Sequence, residues 1–301
     1  MCQQFFLLLC LIYVVTINFF ILNIMKRNSF LAVCLFLIAV VFSACISTQE
    51  KPLTSSQHYA WQESVCLTEG ATDSLRLMVV VDFPLSIEGV TDSVLDVINT
   101  ALVRHSFGED YCDYASMDTV IARFRQDVVN EYRRDNLPLY EQNEANDADY
   151  VMNLNNEHLL TVSPMTEQGR IVSFAVERYL FLGGAHGINN RQFLNFDKRT
   201  GRLVSEDDVF VSEATDALTH LLLLNLVRQN DDLSLISDVE ASDYEKEAIR
   251  PNGNFYFAPE GVVYIFNPYE IGPYSLGETN ICIPVEEVKP YICPDWEIYA
   301  E

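Results

Sequence analysis

Arg170-Ile-Val-Ser-Phe-Ala-Val-Glu-Arg-Tyr-Leu-Phe-Leu182 is the stretch that sets the fold class. Val172, Phe174 and Val176 alternate with Ser173, Ala175 and Glu177, the period of a strand with one face in a core. Upstream, Ser163-Pro-Met-Thr-Glu-Gln-Gly169 has the composition of a hairpin connection, so Tyr150–Val162 is expected to be its partner strand. Downstream, Gly183-Gly-Ala-His-Gly187 marks the next turn, and Arg191–Asp197 is expected to return as a third strand before Lys198-Arg-Thr-Gly201.

Working outward, Tyr59–Leu67 and the β-branched run Ser74–Phe83 read as strands, the second ended by Pro84. Thr91 or Asp92 is expected to cap a helix to Ser106 with Val94, Val97, Ile98, Ala101 and Leu102 on its inner stripe. Val120, Ile121, Phe124, Val128 and Tyr132 keep helical spacing from Ser116 to Arg134, and the polar run Glu141–Asp149 is expected to be a loop. A third helix starts at Ser212 and passes through Leu218, Leu221, Leu222 and Val227. Asn254–Ala258, Val262–Phe266 and Thr279–Pro284 read as closing strands, with Val285–Lys289 a short helical turn. Strands and helices mix without a βαβ rhythm, so the class is α+β, antiparallel sheets packed with helices.

The first 44 of the 301 residues are nearly all apolar and carry only Lys26 and Arg27 as charges. From Met25 onward they have a basic start, an apolar run at Phe30–Val41 and small residues before Cys45, the three parts of an export signal. Residues 1–24 are expected to be a mis-assigned extension and residues 25–44 the signal peptide. The end, Phe42-Ser-Ala-Cys45, resembles the lipobox of bacterial lipoproteins, although Phe42 departs from its usual Leu. That resemblance implies a diacylated, palmitate-bearing Cys45, a tether over residues 45–58, and a bilayer as partner on the periplasmic face or the cell surface. Without its first 44 residues the chain passes from a formal charge of −24 to −26. Such a field disfavours nucleic acid and attracts cations.

Of the cysteines beyond the anchor, Cys66, Cys112, Cys282 and Cys293, the pair Cys282 and Cys293 is the one expected to bridge, being close in sequence around a short turn; free thiols are the open alternative. No spacing of Cys and His suggests a metal site, no nucleotide fingerprint occurs, and no cofactor is expected. His186, in its glycine turn, is the one catalytic suspect, yet no nucleophile or carboxylate stands near it in sequence. Its expected role is structural, bonding a neighbouring carbonyl. Pro268-Tyr-Glu-Ile-Gly-Pro-Tyr-Ser-Leu-Gly277 either packs Tyr269 and Tyr274 on the sheet, the favoured reading, or presents them as a recognition edge. The acidic runs around Glu141–Asp149 and Asp238–Glu247 read as solvated surface or as a steering field for a cation.

Three blocks carry a wider resemblance: Tyr179-Leu-Phe-Leu-Gly-Gly-Ala-His-Gly187, then Phe196-Asp with Thr200-Gly201 and Asp207-Asp-Val-Phe210, then Gly261–Gly277 with Ile281-Cys-Ile-Pro-Val285. Together they resemble the C-terminal domain of the RsiV-like family, a domain of unknown function in exported bacterial proteins. The resemblance runs from Trp61 to Ile292. It implies two α+β modules: an upstream one over 59–165, of the kind joined elsewhere to a peptidoglycan deacetylase (the PdaC type), and the family domain over 166–292, with 293–301 a tail. It makes Gly183, Gly184, His186, Gly187, Tyr269, Glu270, Pro273, Tyr274 and Gly277 signature positions, structural or binding. It implies a non-enzymatic envelope module whose partner is a cationic, lysozyme-like protein or peptidoglycan. The other expectation is an enzyme acting on peptidoglycan or polysaccharide through His186.

Overall fold

A computed structural model describes residues 54–145 and 153–300. Cys45, the leader, the start of the tether and Asn146–Met152 lie outside the described residues. The described part is an α+β unit with two antiparallel-rich sheets. Strands β1 (Thr54–Cys66), β2 (Ser74–Ile87), β3 (Asn156–Gln168), β4 (Ile171–Phe181) and β5 (Ile188–Asp197) form one sheet in chain order. Every neighbouring pair is antiparallel except β2 and β3, which are parallel and joined through helices α1 (Asp92–Phe107) and α2 (Met117–Ala145). After α3 (Glu206–Val209), α4 (Ala214–Gln229) and α5 (Ile236–Val239), strands β6 (Phe255–Ala258), β7 (Gly261–Phe266) and β8 (Thr279–Pro284) make a second sheet, followed by the turn α6 (Val285–Val288).

Alternation distributes the core. Leu75, Leu77, Val79 and Val81 of β2, with Val172, Phe174 and Val176 of β4, face α1 and α2, where Ile98, Leu102, Val120 and Phe124 close the layer. Tyr264, Ile281 and Ile283 of the second sheet face α4 through Leu218 and Leu222. Between the sheets a smaller cluster joins Ala175 and Phe193 to Ala258, Val263 and Ile265. The half-buried β4 expected from sequence is therefore buried on both sides over its first half. Ser173 and Ala175 are 1% and 3% exposed because the second sheet covers them. Ser173 donates to Asn195 Oδ1 at 2.7 Å, and Asn195 Nδ2 to the Phe255 carbonyl at 2.8 Å, so a polar pair is satisfied inside the inter-sheet layer.

Five sequence expectations are corrected. The module boundary at 165/166 falls inside the β3–β4 hairpin, where Glu167 pairs with Val172, because one sheet runs through it. The tail over 293–301 belongs to the core: Ile298 is buried, Trp296 donates its indole N–H to the Asp208 carbonyl at 2.7 Å, and Tyr299 donates to the Ala258 carbonyl at 2.7 Å. Cys282 and Cys293 are free, as are Cys66 and Cys112. Cys282 is held in β8 opposite Val263 while the Cys293 amide is drawn to the Val209 carbonyl at 2.8 Å, so ladder and turn hold them apart. Helix α2 continues past Arg134 through Pro138 to Ala145, since Leu139 and Tyr140 still pack on the core. Strand β2 likewise passes Pro84, which faces Ser56 at an irregular step of the edge strand β1.

Two half-buried basic groups sit where α1 meets the sheet. Arg178 directs its guanidinium at the carbonyls of His105 and Ser106, the last turn of α1, where a cation suits the helix terminus. His158 of β3 lies edge-on to Phe124 at 5.4 Å. Burial, with the nearby Arg178 charge, holds its pKa below the ordinary 6.5, against an opposing pull from Glu131. His105 is lowered in the same direction by burial, Arg104 and Arg178. A lowered folded pKa means that the unfolded chain binds protons first, so this contribution to stability is whole above pH 6.5 and is lost as pH falls below it. Urea midpoints are expected to drop between pH 7.5 and about 5.5, and His158→Gln should flatten that drop.

Candidate functional site

The signature residues converge at one end of β4 and β5. The chain leaves β4 at Phe181 and re-enters β5 at Ile188, and Gly183 and Gly184 make the reversal at φ +86 and +90. Gly187 is required for a different reason: a Cβ there would lie 2.4 Å from the Tyr179 ring, on which the turn rests. His186 follows from that placement. Its Nδ1 lies 3.1 Å from the Gly187 carbonyl, and its ring stacks on Tyr274 at 3.8 Å and 15°. Tyr274 donates its hydroxyl to the same carbonyl at 2.9 Å. The Tyr269 hydroxyl stands 3.5 Å from His186 Nε2, and its ring lies 5.5 Å from that of Tyr274.

The loop carrying the tyrosines is built by Asn267 and Glu270. Glu270 accepts the Asn267 amide at 3.0 Å and Asn267 Nδ2 at 3.2 Å, closing a turn, and accepts Asn252 Nδ2 at 3.3 Å. Asn267, buried, then clips the loop to β5, accepting the Arg191 N–H at 2.7 Å and donating to its carbonyl at 3.1 Å. Pro273 leads into the helical turn Tyr274–Leu276, and Gly277 ends it at φ +67. Beside this loop Arg191 bridges Glu177 at 2.8 Å and Glu278 at 3.0 Å. Sequence reasoning missed Asn267 and Arg191. The Asn-Pro start of the loop with an acid three residues on was the signal for Asn267; Arg191 gave none, since its partners are remote in sequence.

The two tyrosines behave differently. Tyr274 is half-buried beneath the histidine, as packing on the sheet requires. Tyr269 is 56% exposed at φ +75, a backbone conformation that costs a tyrosine about 1–3 kcal/mol. Leu182 and Ile188 are also exposed beside the turn. The site is thus a rigid, outward aromatic knob with an apolar rim.

A second group of titratable residues lies elsewhere. Glu206, at the start of α3, is raised by burial and by Asp207 in spite of the Gly253 N–H that it accepts at 3.0 Å and the Tyr264 hydroxyl. It borders a cavity of about 320 Å³ with His105, Gln192, Asn195 and Asp207. Its contacts tie α3 to the Asn252–Asn254 bend, a structural use of a half-buried acid. Among the described residues no group of three His, Cys, Asp or Glu is placed to hold a metal ion. No helix among them is long and apolar enough to cross a membrane.

Residues 207–286 match the family described as "Protein of unknown function (DUF3298)". Over 185 residues the chain is 25% identical to the peptidoglycan-N-acetylmuramic acid deacetylase PdaC of Bacillus subtilis (strain 168). That match covers 58% of this chain and 35% of the relative, so the chain spans about a third of that protein's length. Two solved structures share the fold. A DUF3298 family member from Bacteroides fragilis superposes with a TM-score of 0.73 at 24% identity, covering 83% of this chain and all of the other. A DUF3298 family protein from Pseudomonas aeruginosa PAO1 gives 0.56 at 15% identity, covering 81% and 97%.

Proposed function

We propose that this chain, which carries a DUF3298 segment, is a non-enzymatic binding module of the cell envelope, anchored by lipid on Cys45, that captures a cationic protein of the lysozyme type. The single observation carrying the reading is the Tyr269–His186–Tyr274 knob: exposed, stacked and held in a costly backbone conformation. Strain of that kind persists where surrounding contacts over-determine it, and it clusters at ligand-binding positions. An aromatic anchor fixed in advance loses little entropy when a partner covers it. The surplus of negative charge supplies attraction at long range. The likeness to a peptidoglycan deacetylase supports an envelope setting.

Turnover through His186 has less support. A general base needs a nucleophile or a carboxylate in hydrogen-bond reach. Here one ring nitrogen meets a backbone carbonyl and the other a tyrosine hydroxyl. The test is a pull-down of purified lysozyme at about 50 mM and about 500 mM salt, a range over which exposed charge pairs become screened. Capture is expected at low salt, weaker at high salt, and reduced about thirtyfold by Tyr269→Ala, the size expected for a truncated hot-spot residue. No association at low salt would remove this ligand from consideration.

A further inference from the structure

The loop that carries Tyr269 is held from a second place in the chain. Asn252, Gly253 and Asn254 bend the backbone into β6, with Gly253 at φ +76 and Asn252 Oδ1 accepting the Asn254 amide at 3.0 Å. Asn252 Nδ2 donates to the Ile265 carbonyl at 2.8 Å and to Glu270 Oε2 at 3.3 Å. That same Glu270 oxygen accepts the Asn267 amide at 3.0 Å. Asn254 Nδ2 donates to the Arg191 carbonyl at 2.8 Å, which Asn267 Nδ2 also reaches at 3.1 Å, and Asn254 Oδ1 accepts the Phe193 amide at 2.9 Å. Bend and tyrosine loop thus share two acceptors. A tyrosine leaves φ +75 once the contacts that impose it slacken.

Glu206 holds the middle of this bend, accepting the Gly253 N–H at 3.0 Å. Among the described residues, the titratable groups that face it are Asp207 on its own turn, the buried Tyr264 from β7, and His105 of α1 across the cavity of about 320 Å³. Burial, with a smaller push from Asp207, raises the Glu206 pKa above the ordinary 4.5, although Gly253 and Tyr264 pull the other way. A carboxyl that swings out into water returns to the ordinary value. The closed bend therefore binds the proton first, and closure gains as pH falls through the raised value.

We propose that Glu206 is a positioning residue for the aromatic knob, acting through the Asn252–Asn254 bend, so that uptake of one proton tightens the knob. The inference rests on the binding reading of the knob for its purpose, but its test needs no ligand. Amide hydrogen exchange of the whole chain, in detergent, is followed at Arg191, Phe193, Gly253, Asn267 and Glu270. Rates are corrected for the intrinsic effect of pH and referred to core amides of β2 and β4. In the wild type these five amides should gain protection as pH falls from neutral toward 4.5. Glu206→Ala should exchange about tenfold faster at them, the loss of a hydrogen bond to a charged acceptor, with the core unchanged. Glu206→Gln keeps an acceptor without the charge. It should show the wild type's low-pH protection at every pH.

Unchanged exchange at the five amides in Glu206→Ala, or an equal rise in the core amides, would overturn the assignment. So would a wild-type pH profile in Glu206→Gln: Glu270 and His186 stand in the same network in both variants, and a surviving response would belong to them. Lysozyme capture is measured separately. Its failure would remove that ligand and leave the exchange result standing.

Discussion

Asp197→Ala is expected to cost about 3–5 kcal/mol, the range for breaking a buried ion pair from one side. Asp197 is 4% exposed and ends β5. One carboxylate oxygen accepts Arg170 Nε at 3.0 Å and the Arg199 amide at 3.0 Å; the other accepts an Arg170 terminal nitrogen at 2.7 Å and the Thr200 hydroxyl at 2.8 Å. Arg170 in turn lies over the Trp296 ring at 4.4 Å and donates its amide to the Trp296 carbonyl at 3.1 Å. One carboxylate therefore fastens the β4–β5 hairpin, its following turn and the C-terminal segment. Removing it leaves the Arg170 charge largely buried and unpaired.

The same group gives an acid limb. Burial works to raise the Asp197 pKa, but Arg170, the Arg199 amide and the Thr200 hydroxyl outweigh it and hold the carboxyl below 3.8. With the folded pKa depressed, the contribution is whole above pH 3.8 and disappears as pH falls through the lower, folded value. Chemical denaturation of wild type and Asp197→Asn should show a stability gap at neutral pH that narrows as pH falls below 3.8. A gap independent of pH would show that the side chain acts by packing alone.

Phe174→Ala is the other large effect, expected at about 3–5 kcal/mol for an aromatic removed from a core that cannot collapse around the void. Phe174 is 0% exposed in β4, with strands on both sides, α1 and α2 above it and the Phe196 ring edge-on to it, centroids 6.0 Å apart at 74°. In a unit of this size the melting temperature should fall by about 10 °C. A loss below about 1 kcal/mol would mean that the helices settle into the gap, contrary to the packing density of such cores.

The contrast between Phe174 and Ser173 shows how far sequence reaches. Alternation in β4 states which residues share a side, because Cβ direction reverses at each step of an extended chain. It cannot state what covers either side. Ser173 and Ala175 read as a solvent face, and only a second sheet some 80 residues downstream turned that face into core. The error at 165/166 has the same origin. A module boundary was drawn through a hairpin whose two strands share one ladder, and composition at a turn is silent on whether a sheet continues through it. The misplaced tail is another case: Trp296, Ile298 and Tyr299 are apolar enough to be core, but their burial depends on partners at Asp208 and Ala258.

At the candidate site the glycine turn was legible because it is local. Gly183 and Gly184 answer a backbone demand, and His186 beside a carbonyl follows within one residue. The stack was not legible. Tyr274 and His186 are 88 positions apart in sequence and meet because Asn267 clips the tyrosine loop to β5.

Sequence by itself determined the apolar character of the first 44 residues, the strand and helix periods, the reversal after β4 and the acidic balance, all of them properties of neighbouring residues or of bulk charge. Tertiary structure alone decided that β4 is dry on both faces over its first half, that Cys282 and Cys293 are free, and that Tyr269 points outward while Tyr274 does not. Each of these depends on long-range packing, in which burial is conferred by a partner rather than carried by the residue.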